Sequence, residues 1–233
     1  MSAFTIDPPA QLPIDHLSLS SIKKFMTCPM KWKRHYLDHD PEPSSGKMIL
    51  GSAGHAALAQ HYGDRIEGGP GFTAEQLLDE FAAEWEDRIA REDVSFGADT
   101  PGALKDSGAA SLRVYHARIA PTVKPVAVER EFTFGWPGIV DWQITGFIDL
   151  EAGDGVLHDA FDTMVRNKTP VVDVVPTART DRQLDALTGR IFALAREIEW
   201  RCETDCWSGA APSDFLGCGT CRYADCPLRL GSL

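Results

Sequence analysis

The stretch Pro125-Val126-Ala127-Val128-Glu129-Arg130-Glu131-Phe132-Thr133-Phe134 decides the fold. Val126, Val128, Arg130, Phe132 and Phe134 occupy every second position, with Glu129 and Glu131 between them. A period of two sends alternate side chains to opposite faces and predicts a strand. Pro137-Gly138 then reads as a turn. Val140 to Leu150 predicts a second strand and Gly153-Asp154-Gly155 a hairpin turn. Val156 to about Val165 predicts a third strand.

On either side of this block the period is helical. Leu77, Leu78, Phe81, Trp85 and Ile89 line one face of a predicted helix over 74–91. After a loop over 93–103, Leu112, Tyr115 and Ile119 face inward from a helix over 104–119. Gly51-Ser52-Ala53-Gly54-His55-Ala56-Ala57-Leu58 opens a small-residue helix ending near Tyr62, preceded by a Pro/Ser/Gly loop over 38–50. Ser18-Leu19-Ser20-Ser21 offers N-caps for a first helix through Ile22, Phe25 and Met26. Cys28-Pro29 interrupts that helix, and the pattern resumes with Trp32 and Tyr36 on one face. Residues 1–17, with Pro8, Pro9 and Pro13, read as an irregular lead-in. Downstream, Thr180 caps a long helix over about 181–200 carrying Leu184, Leu187, Ile191, Leu194 and Ile198. The class is α/β: a mixed central sheet flanked by helices, with a helical insertion over 63–120 ahead of a core over 125–200.

Composition narrows the function classes. The chain has 233 residues and 43% hydrophobic content, enough for one sizeable core. No run of about 18 apolar residues is present, so no transmembrane helix is expected, and the N-terminus lacks the pattern of a signal peptide. Six cysteines in that context favour a reducing cytoplasm and metal ligation over disulfides. A net charge of −11 argues against a broad basic nucleic-acid surface but leaves room for a local basic groove. The most basic stretch carries Lys23, Lys24, Lys31, Lys33 and Arg34, interleaved with Trp32. That pattern suits a nucleic-acid backbone with stacked bases, or equally a solvated helix face.

Two sets of residues carry chemistry. Cys218-Gly219-Thr220-Cys221-Arg222-Tyr223-Ala224-Asp225-Cys226-Pro227 reads C-x2-C-x4-C-P, a spacing that lets short loops turn three sulfurs to one point. Cys28 is the candidate fourth ligand and would staple the two ends of the chain together. A four-cysteine metal or cluster site, a zinc knuckle with other ligands and plain reduced thiols all fit, and Cys202 and Cys206 could compete as ligands. Asp149 and Asp162 fall near the ends of the second and third predicted strands. With His55 they would make a hard, oxygen-rich site for Mg²⁺ or Mn²⁺, an ion that polarises a phosphodiester and acidifies water. Solvent-facing strand-end carboxylates are the plain alternative. Parity favours Asp162 over Asp159, because Asp162 and residue 164 share a face.

In their order along the chain, these motifs resemble the RecB-like exonucleases of the PD-(D/E)xK superfamily, closest to the iron–sulfur exonucleases of CRISPR adaptation and their phage relatives. Ser18-Leu19-Ser20-Ser21-Ile22-x-x-Phe25-x-x-Cys28-Pro29 resembles the family's N-terminal cluster-ligand motif, and Gly51-x-x-Gly54-His55-x-x-Leu58 its metal-binding His motif. Glu129-x-Glu131-Phe132 is similar to its first core strand, and Gly146-Phe147-Ile148-Asp149 to its G-x-(I/V)-D motif. The segment from Asp162-Thr163-Met164 to Lys168-Thr169-Pro170 resembles its D-x-K segment, and Asp181-x-Gln183-Leu184 its Q-L-x-x-Y helix.

The resemblance covers most of the chain. It implies one nuclease-like domain over 1–233 with a restriction-endonuclease-like core. The N-terminal helical segment would be 18–37 and the C-terminal cluster-binding segment 201–233. It implies a [4Fe–4S] cluster on Cys28, Cys218, Cys221 and Cys226, and Mg²⁺ or Mn²⁺ on His55, Asp149 and Asp162. Gln183 would assist near the site, and the substrate would be DNA, with single-stranded ends. Two positions depart from the pattern. Leu187 stands where the family has Tyr, and Met164 where it has its catalytic Lys. Methionine keeps the length of lysine and lacks its ammonium. The chain is then an engineered inactive variant, a degenerate homologue that binds DNA or adapts an integrase or recombinase to it, or an enzyme in which Arg166 or Lys168 takes over.

Overall fold

A computed structural model describes residues 11–153, 157–158, 179–210, 218, 221–223 and 225–228. The chain divides into two units, one formed by 1–42, 132–146 and 177–233 and the other by 43–131 and 147–176. Each has its own hydrophobic core.

In the first unit, β1 (His16–Ser18) leads into α1 (Leu19–Thr27). Ser18 and Ser21 form a reciprocal capping box that satisfies the first amides of α1. The helix stops at Cys28, and α2 (Pro29–Tyr36) starts again with proline in its first turn, where a missing N–H costs nothing. The lead-in expected through residue 17 thus contains a strand. Three residues are too few to show a period, and β1 exists by pairing in parallel with a distant segment, Leu17 opposite Ile144. The core here joins Leu17, Phe25, Trp32, Trp142 and Ile198. The long helix expected from Thr180 is α6 (Asp181–Thr204), introduced by a Thr180–Gln183 capping box.

In the second unit, β2 (Ser44–Ser45) runs straight into α3 (Gly46–Ile66). This corrects the expected loop over 38–50 and a helix ending near Tyr62. The Ser45 side chain accepts the Met48 amide and starts the helix early. Glycine is required at its first position, since a Cβ on Gly46 would lie 2.6 Å from the Phe96 ring. Next, α4 (Ala74–Arg91) buries Leu77, Phe81 and Trp85 on one face, as its periodicity predicts, behind a Thr73–Gln76 capping box. The expected loop over 93–103 contains β3 (Val94–Ser95), parallel to β2, and the first residues of α5 (Pro101–Arg118). α5 packs close because Gly108 has no side chain; a Cβ there would meet the Phe81 ring at 2.6 Å.

The main sheet contains β4 (Pro125–Gly135), β5 (Gln143–Ala152) and β6 (Leu157–His158). Its order is β1-β5-β4, and β6 pairs with β5 antiparallel, Leu150 opposite His158. With parallel and antiparallel neighbours the sheet is mixed, as expected. β5 begins at Gln143 rather than Val140, after a turn at Pro137–Ile139; Val140 and Trp142 pack into the first core instead. The remainder of the third expected strand lies outside the described residues. Among the described residues, no helix is long and apolar enough to cross a membrane.

One buried group in the second unit makes stability depend on pH. His61 is 3% exposed, and its Nδ1 accepts the Phe72 amide at 2.9 Å. Burial first, then the nearby His116 and Arg65, push its pKa down from 6.5 to about 4. Between those values the unfolded chain binds a proton that the folded chain excludes. The contribution of His61 is therefore complete above about pH 6.5 and is lost as pH falls towards 4. The full shift corresponds to about 3 kcal/mol. Urea midpoints are expected to fall over this window. His61→Gln, which keeps an acceptor for Phe72, should flatten the pH slope by about one proton; an unchanged slope would refute the assignment.

Candidate metal centre

Three elements of the second unit bring one donor each to a common point. His55 lies on α3 beside the buried Ala53, Ala57 and Leu58, whose small face lets the helix pack closely. Asp149 lies on β5 next to the buried Leu150. Glu129 lies on β4 and has a φ of 45°, inside an otherwise extended strand. One ligand atom from each of His55, Glu129 and Asp149 lies within 4.8 Å of the others. Nδ1 of His55 is 3.2 Å from Oδ2 of Asp149, and both side chains are half-buried.

The electrostatics of the trio favour a cation. Burial raises the Glu129 carboxyl above its usual range, the Asp149 charge raises it further, and His55 opposes them. Two carboxylates this close repel, and a divalent ion between them removes the penalty. One imidazole and two carboxylates form a hard donor set that fits Mg²⁺ or Mn²⁺. Because Glu129 takes up a proton at a higher pH than an ordinary glutamate, protons compete with the ion there as pH falls.

Glu129 was not among the residues that the sequence assigned to the metal. In a regular strand it would share a face with Glu131 and alternate with Val128. Its left-handed backbone, uncommon outside glycine, breaks that alternation, and no residue type announces such a break. The motif at Gly146–Asp149 has a clearer reason: a Cβ on Gly146 would lie 2.7 Å from the Phe132 ring.

Asp162 and Met164, with Asp159, Arg166 and Lys168, lie outside the described residues. The Gln183 carboxamide oxygen accepts the Thr180 amide at 2.9 Å, so it serves the cap of α6. In the expected DNA-binding stretch, one ring is buried and three cations have carboxylate partners. Trp32 is fully buried, T-shaped against Phe25 and stacked on Trp207, so its ring cannot stack on a base. Lys31 pairs with Glu42, Lys33 with Asp38, and Arg34 with Asp40 and Asp225. These carboxylates offset the charge an approaching phosphate would meet. Lys23 is exposed, and burial lowers the pKa of Lys24.

All six cysteines are free thiols. Cys28 is buried at the corner between α1 and α2. Burial raises its pKa, the amides of Lys31 and Met30 lower it, and the thiols of Cys221 and Cys226 add to the rise. The Cys221 amide reaches the Cys218 carbonyl at 3.4 Å. Among the described residues, no three cysteine sulfurs lie mutually within 4.8 Å. Cys202 is half-buried against the first core and Cys206 is exposed.

A family model described as the PD-(D/E)XK nuclease superfamily matches residues 16–161, from β1 to just before Asp162, and includes His55, Glu129 and Asp149. No curated protein and no solved structure matches the chain.

Proposed function

The chain belongs to the PD-(D/E)XK nuclease superfamily, and from that premise we propose that it is a metal-dependent deoxyribonuclease scaffold acting on single-stranded DNA ends. The observation that carries this reading is the convergence of His55, Glu129 and Asp149 within 4.8 Å. A bound Mg²⁺ or Mn²⁺ would polarise the scissile phosphodiester and lower the pKa of the attacking water. The chain's own part is to hold the donors. Asp149 orients the His55 ring, and Glu129 supplies the second carboxylate from its left-handed position.

Met164 lacks the ammonium that the family places two residues after Asp162, so the protein is catalytically impaired as its sequence stands. The thiols of Cys28, Cys218, Cys221 and Cys226 hold an iron–sulfur cluster in this reading. Support comes from the C-x2-C-x4-C-P spacing and the buried Cys28 close to Cys221 and Cys226.

The test compares the chain with its Met164→Lys form, both prepared anaerobically, on end-labelled single-stranded DNA with Mg²⁺ or Mn²⁺. Only the lysine form is expected to cleave, and both preparations should contain iron and sulfide in equal amounts. If neither form cleaves while both bind Mn²⁺, the nuclease reading fails. Cleavage by both would end the claim of impairment and point to Arg166 or Lys168. Zinc without iron would remove the cluster.

A further inference from the structure

The segment from Cys221 to Cys226 is tied to the N-terminal part of the first unit at several points through ion pairs, a ring contact and backbone hydrogen bonds. Arg34, in the last turn of α2, donates from Nη1 to Oδ1 of Asp225 at 2.8 Å and from Nη2 to Oδ2 at 3.1 Å. This is a two-pronged pair that matches the guanidinium plane. Its Nε donates to Asp40 at 2.8 Å, and the guanidinium carbon lies 4.0 Å from the centre of the Tyr223 ring. Tyr223 is buried and donates its hydroxyl to the Asp40 carbonyl. The Arg222 amide donates to Glu42 at 3.1 Å, and Glu42 is fixed in turn by Lys31.

Every one of these ties leaves from residues 31–42, and Cys28 stands at the N-terminus of the same α2. One short stretch therefore carries Cys28 and grips the loop that carries Cys221 and Cys226. Arg34 is the centre of the grip, since it engages two carboxylates and a ring at once while its side chain is only 16% exposed. Lysine could not do this, because it has neither the planar fork nor the stacking face.

We propose that Arg34 is a positioning residue that keeps the C-terminal cysteine loop docked beside Cys28 whether or not the thiols hold metal. The thiols then form a site organised in advance, able to lose and regain its metal without releasing the loop. Small metal-stapled domains behave differently and come apart when stripped. The role of the loop as a metal site rests on the proposed function above; the docking by Arg34 rests on the contacts alone.

Amide hydrogen exchange of the peptide spanning 218–228, read in the full chain before and after removal of metal by a chelator, tests the proposal. In the unsubstituted protein the peptide should stay protected after stripping. In Arg34→Met its exchange should quicken by roughly tenfold in the stripped form and much less in the loaded form, where metal still ties the loop. Arg34→Lys should not restore protection. Release of metal to the chelator should also be about tenfold faster in Arg34→Met, in the range seen when groups supporting metal ligands are removed. Asp225→Asn, which alters an exposed carboxylate and leaves the guanidinium in place, should show a smaller change of the same sign should Arg34→Met fail to fold. Loss of protection on stripping the unsubstituted protein, or full protection in stripped Arg34→Met, would overturn the proposal and leave the metal reading standing. A protein with neither iron nor zinc at these cysteines would end the metal reading, while Arg34-dependent protection in it would still uphold the docking.

Discussion

Asp149→Ala is expected to weaken Mn²⁺ binding by at least about 100-fold, as measured by calorimetric titration of the full chain. Replacing a residue that merely supports a metal ligand costs 10–100-fold as a rule, and Asp149 is placed to be a ligand itself. Its removal takes away one of two carboxylates and the group 3.2 Å from His55 Nδ1. The metal-free protein should not suffer in parallel. Asp149 helps to raise the Glu129 carboxyl out of its usual range, so without it Glu129 ionises more easily and like-charge repulsion disappears. The expected pattern is an unchanged or higher melting temperature without metal, and no further rise when Mn²⁺ is added. In the Met164→Lys background the same substitution should abolish metal-dependent cleavage. Mn²⁺ binding that survives Asp149→Ala would show that the ion sits elsewhere.

Glu129 separates backbone from chemistry. Glu129→Gly and Glu129→Ala both remove the carboxylate, so both should lose Mn²⁺ binding to a similar extent. They should differ in stability. At an ordinary extended position glycine is the less stable of the two by about 0.5–1 kcal/mol, because it loses more freedom on folding. At a φ of 45° alanine bears the crowding of its Cβ against the following carbonyl, about 1–2 kcal/mol, and glycine does not. Glycine is therefore expected to be the more stable variant by about 1 kcal/mol in metal-free urea denaturation. The reverse order would mean that Glu129 is an ordinary strand residue and that its meeting with Asp149 needs another cause.

How much of this could be read beforehand depended on the range of the interactions involved. The helix over 74–91 was legible to its ends. Its apolar face repeats within the helix, and its cap, Thr73 with Gln76, spans four residues. The start of α3 reads as loop in the sequence because Pro, Ser and Gly crowd 38–50. The close approach of Phe96 and Leu104, dozens of residues away, is what requires glycine at position 46. Basic and aromatic residues alternate through 23–34 in a way that fits DNA or a solvated face alike. The choice fell to packing, which buries Trp32 against Phe25, Tyr36 and Trp207 and sets Glu42, Asp38, Asp40 and Asp225 beside the cations.

For the site, the chemistry on offer was legible from residue type and spacing. A histidine in a small-residue helix, carboxylates on neighbouring strands and cysteines at ligand spacing are properties of residue type and local period, and those survive without a fold. Which donors meet depends on long-range packing. Glu129 joins His55 and Asp149 because one residue of β4 leaves the extended region and because α3 and β5 pack into the same core. Both depend on contacts far apart along the chain. Strand parity assumes a regular backbone, so it could not place a candidate ligand at Glu129, where the backbone of β4 is not regular.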